Sequence, residues 1–165
     1  MVQVRSLSGA DAAAFQACRL EALRRHPCAF AASFDEEALR SLDEVAARLE
    51  QGAAFGAFMD GALVGTAGFA TPALALAKKS PQGVLWGVDV RAAARGRGVG
   101  RLLVEQVIEH ARGRVEQLHA TVVTSAAAAR QLYRDLGFRV YGLEPRGLKV
   151  AGRYFDQELM VLLLR

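Results

Sequence analysis

A chain of 165 residues with 52% hydrophobic and 23% charged side chains is too apolar for disorder and has the length of one domain with one core. Its net charge of +4 permits an anionic partner, but no basic run interleaved with aromatics is present, so nucleic acid is not expected as that partner. Two cysteines, Cys18 and Cys28, lie without Cys or His at metal-ligand spacing, which argues against a disulfide framework and a metal site and predicts a reducing, cytoplasmic setting.

The first residues, Met-Val-Gln-Val-Arg, carry no apolar run, which predicts no secretory signal. Val2 and Val4 alternate with polar neighbours as in a short strand. Ser8 with Asp11 marks a helix start, and that helix should bury Phe15, Cys18, Ala22 and Leu23 before Pro27 stops it. Ser41 with Glu44 is a capping-box pair for a helix through Val45 and Leu49 that ends near Gly52. Between these helices lies Ala29–Leu39, with Ser33, Asp35, Glu36 and Glu37.

Residues 53–59 and 62–69 flank Asp60-Gly61, a two-residue hairpin turn. The apolar stretch Ala62–Ala77 is broken by Gly65, Thr66, Gly68, Thr71 and Pro72, so no membrane span is expected. After a proline-containing connection, Gly83–Val90 reads as a buried strand. A glycine-rich turn and a helix from about Val99 to Arg112 follow, with Leu102, Leu103, Val107 and Ile108 on its apolar face. Leu118–Val123 is a strand rich in β-branched residues, Ala126–Leu136 a helix closed by Gly137, and Phe138–Leu143 and Tyr154–Leu164 two further strands. The order predicts a single mixed α/β domain whose central sheet carries helices on both faces.

The turn after Val88-Asp89-Val90 reads Arg95-Gly96-Arg97-Gly98-Val99-Gly100-Arg101. Glycines at a strand-to-helix junction let backbone amides approach a phosphate, and the helix start adds partial positive charge. A Walker loop would need Gly-Lys-Ser/Thr after its glycines, whereas Arg101-Leu102 follows Gly100. A dinucleotide fingerprint counted from Gly96 and Gly98 puts Arg101 where a small residue belongs. What remains is a pyrophosphate site of another kind, against the plainer alternative of a flexible loop with solvated arginines.

Arg95-x-x-Gly98-x-Gly100 after a strand resembles motif A of the GNAT (Gcn5-related N-acetyltransferase) superfamily, and the likeness runs through residues 88–103. Ala129-Arg130-Gln131-Leu132-Tyr133-Arg134-Asp135-Leu136-Gly137-Phe138 resembles a second segment of that family, and the element order fits it from residue 2 to 164. The resemblance implies acetyl-CoA as acetyl donor and transfer to a primary amine. It implies that the Val88, Asp89 and Val90 backbone holds the pantetheine arm and that the amides of Gly96, Arg97, Gly98, Val99, Gly100 and Arg101 cradle the pyrophosphate, with Arg95 leading the loop. Tyr133 falls where relatives keep a tyrosine that protonates or hydrogen-bonds the departing thiolate. A phenol near pKa 10 and a thiol near 8.5 are close enough for that proton transfer.

Two positions depart from the family pattern. Ala126 stands where many relatives have Asn, and the strand before the loop lacks the Glu that some use as base. Candidate bases are Glu36, Glu37, His119, Asp156 and Glu158. The resemblance places the Ser33–Leu39 region beside the acceptor, making Ser33, Glu36 and Glu37 candidate substrate contacts, and Tyr154, on one side of the last strand with Asp156, a fourth. His119 is expected to be a satisfied structural histidine, His26 a helix-end residue and His110 an exposed one. The acceptor, a small amine or a protein amino group, stays open, and the hydrophobic C-terminal strand is an expected pairing surface for a homodimer. Ala126 and the missing base keep an alternative in view: a non-catalytic acyl-CoA-binding regulatory module.

Overall fold

The structure, a computed structural model, describes residues 1–72, 78 and 81–165. The proline-containing connection at the end of the Ala62–Ala77 stretch lies outside the described residues, apart from Thr71, Pro72 and Lys78. Seven strands follow in the expected order: β1 (Val2–Ser6), β2 (Ala53–Met59), β3 (Ala62–Ala70), β4 (Gln82–Val90), β5 (Gln117–Val123), β6 (Arg139–Val150) and β7 (Arg153–Leu163). The main helices are α1 (Ala12–Arg25), α2 (Phe34–Ala38), α3 (Leu42–Gln51), α4 (Val99–Ala111) and α5 (Ala127–Asp135). Capping boxes start α2 and α3: Ser33 and Ser41 accept from the Glu36 and Glu44 amides, and the two glutamate carboxylates accept from the serine amides.

One sheet holds all seven strands in the order β1-β2-β3-β4-β5-β7-β6. Every neighbouring pair is antiparallel except β4 and β5, which a connection through α4 joins, as parallel strands require. Alternation along β2 serves both faces. Phe55 and Ala57 enter a core with α4, α5, Tyr133, Phe138 and Met160, whereas Ala54 packs with Phe15 and Cys18 of α1 and Val45 and Leu49 of α3. The sheet is therefore covered on both sides, as expected of the element order.

Three details differ from the sequence-based expectations. Leu102 is 42% exposed, while Leu103, Val104 and Val107 are fully buried; at 3.6 residues per turn Leu102 falls opposite the centre of the stripe they form. β6 runs to Val150, past Pro145, with irregular register against β7 between Glu144 and Leu148. It is the last strand of the sheet, and an edge tolerates proline and bulges. The C-terminal strand β7 is paired on one side with β5 and on the other with β6, so it has no free edge for a second chain. The edges of the sheet are β1 and β6, and on β6 Val140, Tyr141 and Leu143 are exposed.

Trp86 links sheet and helices. Its ring meets Phe15 edge-on at 6.3 Å and lies against Gly68 of β3, where a Cβ would collide with the indole. Gly68→Ala is expected to destabilise the fold by about 1–3 kcal/mol through overpacking. Urea unfolding followed by fluorescence of Trp86, the single tryptophan, measures this and reports displacement of the ring in the same experiment.

Candidate active site

Pairing between β4 and β5 stops early. Only Gln82, Gly83 and Val84 are in register with Gln117, Leu118 and His119; beyond them Leu85–Val90 has no strand beside it on that side. A register shift against β3 between Thr66 and Gly68 and Gly87 at φ +61 mark where β4 bends, and Thr66 Oγ1 donates to the Gly87 carbonyl at 3.0 Å. A left-handed backbone of this kind is open to glycine at little cost. The Arg91 amide bonds Val64 of β3, so by strand alternation Asp89 also turns its backbone groups to β3, while Val88 and Val90 turn theirs into the gap. On this half-buried stretch the Val90 carbonyl accepts from Arg95 and its amide donates to the Asp89 carboxyl, which leaves the Val88 groups for an extended ligand arm to take up.

The glycine turn lies at the end of this gap. Gly96 and Gly98 have φ of +74 and +76, and nothing lies within 4 Å of a Cβ built on either, so the space before the loop is open. Gly98 caps α4 and offers no side chain to the first-turn amides. The first helical amide with a carbonyl partner is Leu102, bonded to Gly98 at 3.1 Å, and the amides ahead of it are the unpaired donors of a helix start. Such a cradle fits a pyrophosphate. A Cβ on Gly100 would meet Leu132 and Val90 at ordinary contact distance, 3.5 and 3.7 Å, so helix packing does not demand glycine there. The arginines divide their work: Arg95 Nε donates to the Val90 carbonyl at 2.9 Å and its Nη2 meets His26 at 3.0 Å, Arg101 pairs with Glu105 at 2.9 Å, and Arg97 is exposed with no ion-pair partner among the described residues. The Asp89 carboxyl lies among Arg95, His26 and Glu21; burial raises its pKa, with Arg95 and His26 opposing.

Tyr133, on α5, is buried with its ring against Phe138 at 5.6 Å. Its hydroxyl has no hydrogen-bond partner among the described residues, and it is not among the fully enclosed atoms that lack a hydrogen bond, which are the ion-paired Arg19 Nε and Arg91 Nε. It is thus accessible and unsatisfied. Burial pushes its pKa up to about 12. Against a thiol near 8.5, outright proton transfer would be uphill by about 5 kcal/mol, so the hydroxyl is suited to donate a hydrogen bond to a thiolate and keep its proton.

The helices α1, α2 and α3 and the sheet enclose an open cavity of about 1060 Å³ that reaches Gly87 and Trp86 of β4. Arg19, Glu37 and Arg48 line it, with Glu144 and Gln157, which are register partners across β6 and β7. Glu37 is buried, and Arg19, Arg40 and Arg48 stand 3.4, 3.6 and 3.4 Å from its Oε2. Among the sequence-based acceptor candidates, Glu37 alone lines this cavity. Ser33 and Glu36 are occupied with each other in the α2 capping box. Tyr154 is 52% exposed on β7, with Arg146 over its ring at 4.8 Å.

The remaining base candidates have partners of their own. Glu158 is held by Arg130, whose hydrogen bond lowers its pKa, with Arg134 3.7 Å away. Asp156 accepts from the Arg146 amide at 2.8 Å. His119 meets Gln117 and Tyr141 at 3.0 and 3.2 Å, the satisfied role expected of it. His110 is not exposed as expected. It sits half-buried between the rings of Phe55 and Phe69, 5.4 and 5.2 Å away, and burial lowers its pKa. Sequence reasoning missed Arg19, Arg48, Trp86 and Glu144. Only Arg19 had a local signal: it is a charge next to Cys18, one helical turn from Phe15 and Ala22, on a stripe that should be apolar.

The family model described as Acetyltransferase (GNAT) family matches residues 17–138. The N-alpha-acetyltransferase RimI of Mycobacterium tuberculosis is 40% identical over 65 residues, 39% of this chain and 40% of that protein. The match thus spans well under half of that curated relative. Among solved structures, a GNAT-family acetyltransferase from Streptococcus pneumoniae is 25% identical, with full coverage of both chains and a TM-score of 0.87. The ribosomal-protein-alanine N-acetyltransferase of Brucella melitensis is 28% identical over 98% of this chain and 99% of its own, with a TM-score of 0.85. The protein yncA of Salmonella typhimurium, solved with its cofactor acetyl-CoA, is 25% identical over 100% of this chain and 95% of its own, with a TM-score of 0.82.

The Tyr133 environment makes a prediction for stability in alkali. The folded protein holds this proton up to about pH 12, while an ordinary tyrosine releases it near 10. The native state therefore binds more protons between those values, and its stability, complete below pH 10, falls as pH rises toward 12 by up to about 3 kcal/mol. Tyr133→Phe should remove that contribution, which shows as a shallower alkaline slope in unfolding free energy measured across this range.

Proposed function

The chain belongs to the acetyltransferase (GNAT) family, and from that membership and the geometry of the β4–β5 gap we propose that it is an acetyl-CoA-dependent N-acetyltransferase that moves acetyl directly to a primary amine. The observation that carries this is the juxtaposition around β4. On one side lie the glycine turn and the start of α4; on the other, at Gly87, opens the cavity walled by α1 and α2. A donor entering from the turn and an acceptor entering from the cavity meet at the bend of the strand. The acetyl-CoA found with the Salmonella typhimurium relative supports the donor.

Each residue then has a task. The amides of Gly96, Arg97, Gly98, Val99, Gly100 and Arg101 hold the pyrophosphate, with the helix start adding favourable field. Arg95, through its bond to the Val90 carbonyl, fixes the loop onto β4. Backbone groups of Val88 and Val90 face the gap, where those of Val88 hold the pantetheine arm, and the donor supplies an activated thioester there. The amine nitrogen forms a bond to the carbonyl carbon, the carbon–sulfur bond breaks, and the amine proton passes to water in the open cavity. Tyr133 donates its hydrogen bond to the sulfur as negative charge collects on it, an interaction strongest late in the reaction.

Among the described residues no helix is long and apolar enough to cross a membrane, and Cys18 and Cys28 are free thiols; both support placing the protein in the cytoplasm. If a homodimer forms through a strand edge, β1 and β6 are the strands that offer one, and β6 carries the exposed apolar residues. A non-catalytic acyl-CoA-binding module is the competing reading, favoured by α5 starting at Ala126 without a side-chain cap. Acceptor-dependent release of free CoA thiol separates the two, since the module would bind acetyl-CoA and release none with any amine.

Gly98→Glu puts a carboxylate in front of the loop at a left-handed backbone position. Calorimetric titration with CoA should show affinity falling by at least about tenfold, and unchanged affinity would refute the pyrophosphate assignment. Tyr133→Phe should lower kcat by about tenfold to a hundredfold, the worth of a hydrogen bond to a charged group, with the KM for acetyl-CoA nearly unchanged. A variant with the parental kcat at every pH removes Tyr133 from the reaction.

A further inference from the structure

We propose that the acceptor is a small amine carrying its own carboxylate, of the α-amino-acid class, and that Arg19, with Arg48 beside it, binds that carboxylate. The proposal rests on the acetyltransferase reading above and names the substrate class of that site.

Arg19 is in an unusual place for a guanidinium. It sits on α1 among residues that build the core, its side chain only 12% exposed, yet it lines the cavity. Burying a charge is costly unless it is paired and hydrogen-bonded, and the pairing here is incomplete. Glu37 is the carboxylate it meets, and Glu37 is shared by Arg19, Arg40 and Arg48, all nearest the same oxygen. Three cations converge on one anion. Arg19 directs its enclosed Nε to Glu37, at 3.4 Å and without hydrogen-bond geometry, so that contact uses one edge of the guanidinium. The cluster as it stands has room for a second anion, and a guanidinium fork is shaped for two parallel hydrogen bonds to a carboxylate.

Position makes this anion site part of the reaction site. A Cβ on Gly87 would come within 3.1 Å of Arg19 Nη1, so the guanidinium touches the bend of β4 where the gap opens. Val88, the next residue, turns its backbone toward the donor side. An anion on Arg19 therefore places an amine one carbon away at the end of the gap. The rings of Trp86 and Phe30 lie 5.3 and 6.0 Å from the Arg19 guanidinium carbon, and Arg48 is 5.8 Å from the Trp86 ring. Aromatic faces hold the guanidinium plane while leaving its N–H edge for the ligand. The ammonium groups of a polyamine would meet Arg19 and Arg48 at this end of the cavity, which disfavours their binding beside Gly87.

The test is CoA-thiol release with the twenty standard L-α-amino acids, each compared with its α-carboxamide, and with an amidated alanyl peptide and spermidine as carboxylate-free amines. At least one amino acid should turn over with kcat/KM about tenfold or more above its amide. Arg19→Gln should raise KM for that amino acid by a similar factor and leave its amide and the KM for acetyl-CoA unaltered. Because Arg19 is interior, Arg48→Gln at the cavity rim provides the same comparison with less risk to folding. Turnover of amides, peptide or spermidine equal to or above that of amino acids overturns the carboxylate site and leaves the acetyltransferase reading standing. So does an equal change for amino acid and amide in the Arg48 variant. Acetyl-CoA binding with no thiol release from any of these amines overturns both.

Discussion

Everything at this site depends on two parallel strands that part company. β4 and β5 share register over three residues and then separate, because β4 bends at Gly87 while β5 continues beside β7. Backbone donors and acceptors in the middle of a sheet normally find one another, and leaving them without partners costs free energy unless something else supplies the bonds. The fold tolerates the gap because the rest of the sheet is extensively paired and both of its faces are covered. The unpaired edge is thus a built-in template for an extended ligand, at the point where α4 aims its N-terminus.

The two sides of that gap differ in how they handle charge. On the proposed donor side the groups offered to an anion are backbone amides, and two arginines of the loop are engaged elsewhere: Arg95 ties it to Val90 and Arg101 pairs along α4 with Glu105. Toward the acceptor, charge resides on side chains packed between helices, with Glu37 as the common partner of arginines from α1, α3 and the α2–α3 connection. Backbone amides cost nothing to orient at reaction time, because the helix has already fixed them. A side-chain cluster is costlier to bury but can be altered residue by residue, which suits the half of the site that distinguishes one acceptor from another.

Tyr133 shows how an environment alters a role. At its ordinary pKa a tyrosine is near enough to a thiol for proton exchange. In the core beside Phe138, without a carboxylate or cation near the hydroxyl, burial raises that value to about 12. The group becomes a more reluctant acid and a persistent hydrogen-bond donor. The same burial that makes the ring part of the core keeps its proton in place when a thiolate forms.

The order of strands and helices, the covered sheet and the glycine turn were legible in the chain itself, since capping boxes, the Asp60-Gly61 turn and apolar periodicity act over a few residues. So was the proposed donor cradle, because a phosphate site of this kind needs glycines contiguous with a helix start. Tertiary structure alone decided the acceptor side. Arg19, Arg48, Trp86 and Glu144 are scattered over α1, α3, β4 and β6, and no local spacing links them; nor does it pair Glu37 with three arginines while Glu36, its neighbour, caps a helix. The sheet order likewise closed both edges of β7 and left β6 outermost, a matter of long-range pairing that two apolar strands of similar composition cannot announce. Local backbone geometry determined the glycine turn proposed to hold the donor. Packing between distant elements decided what can lie opposite it.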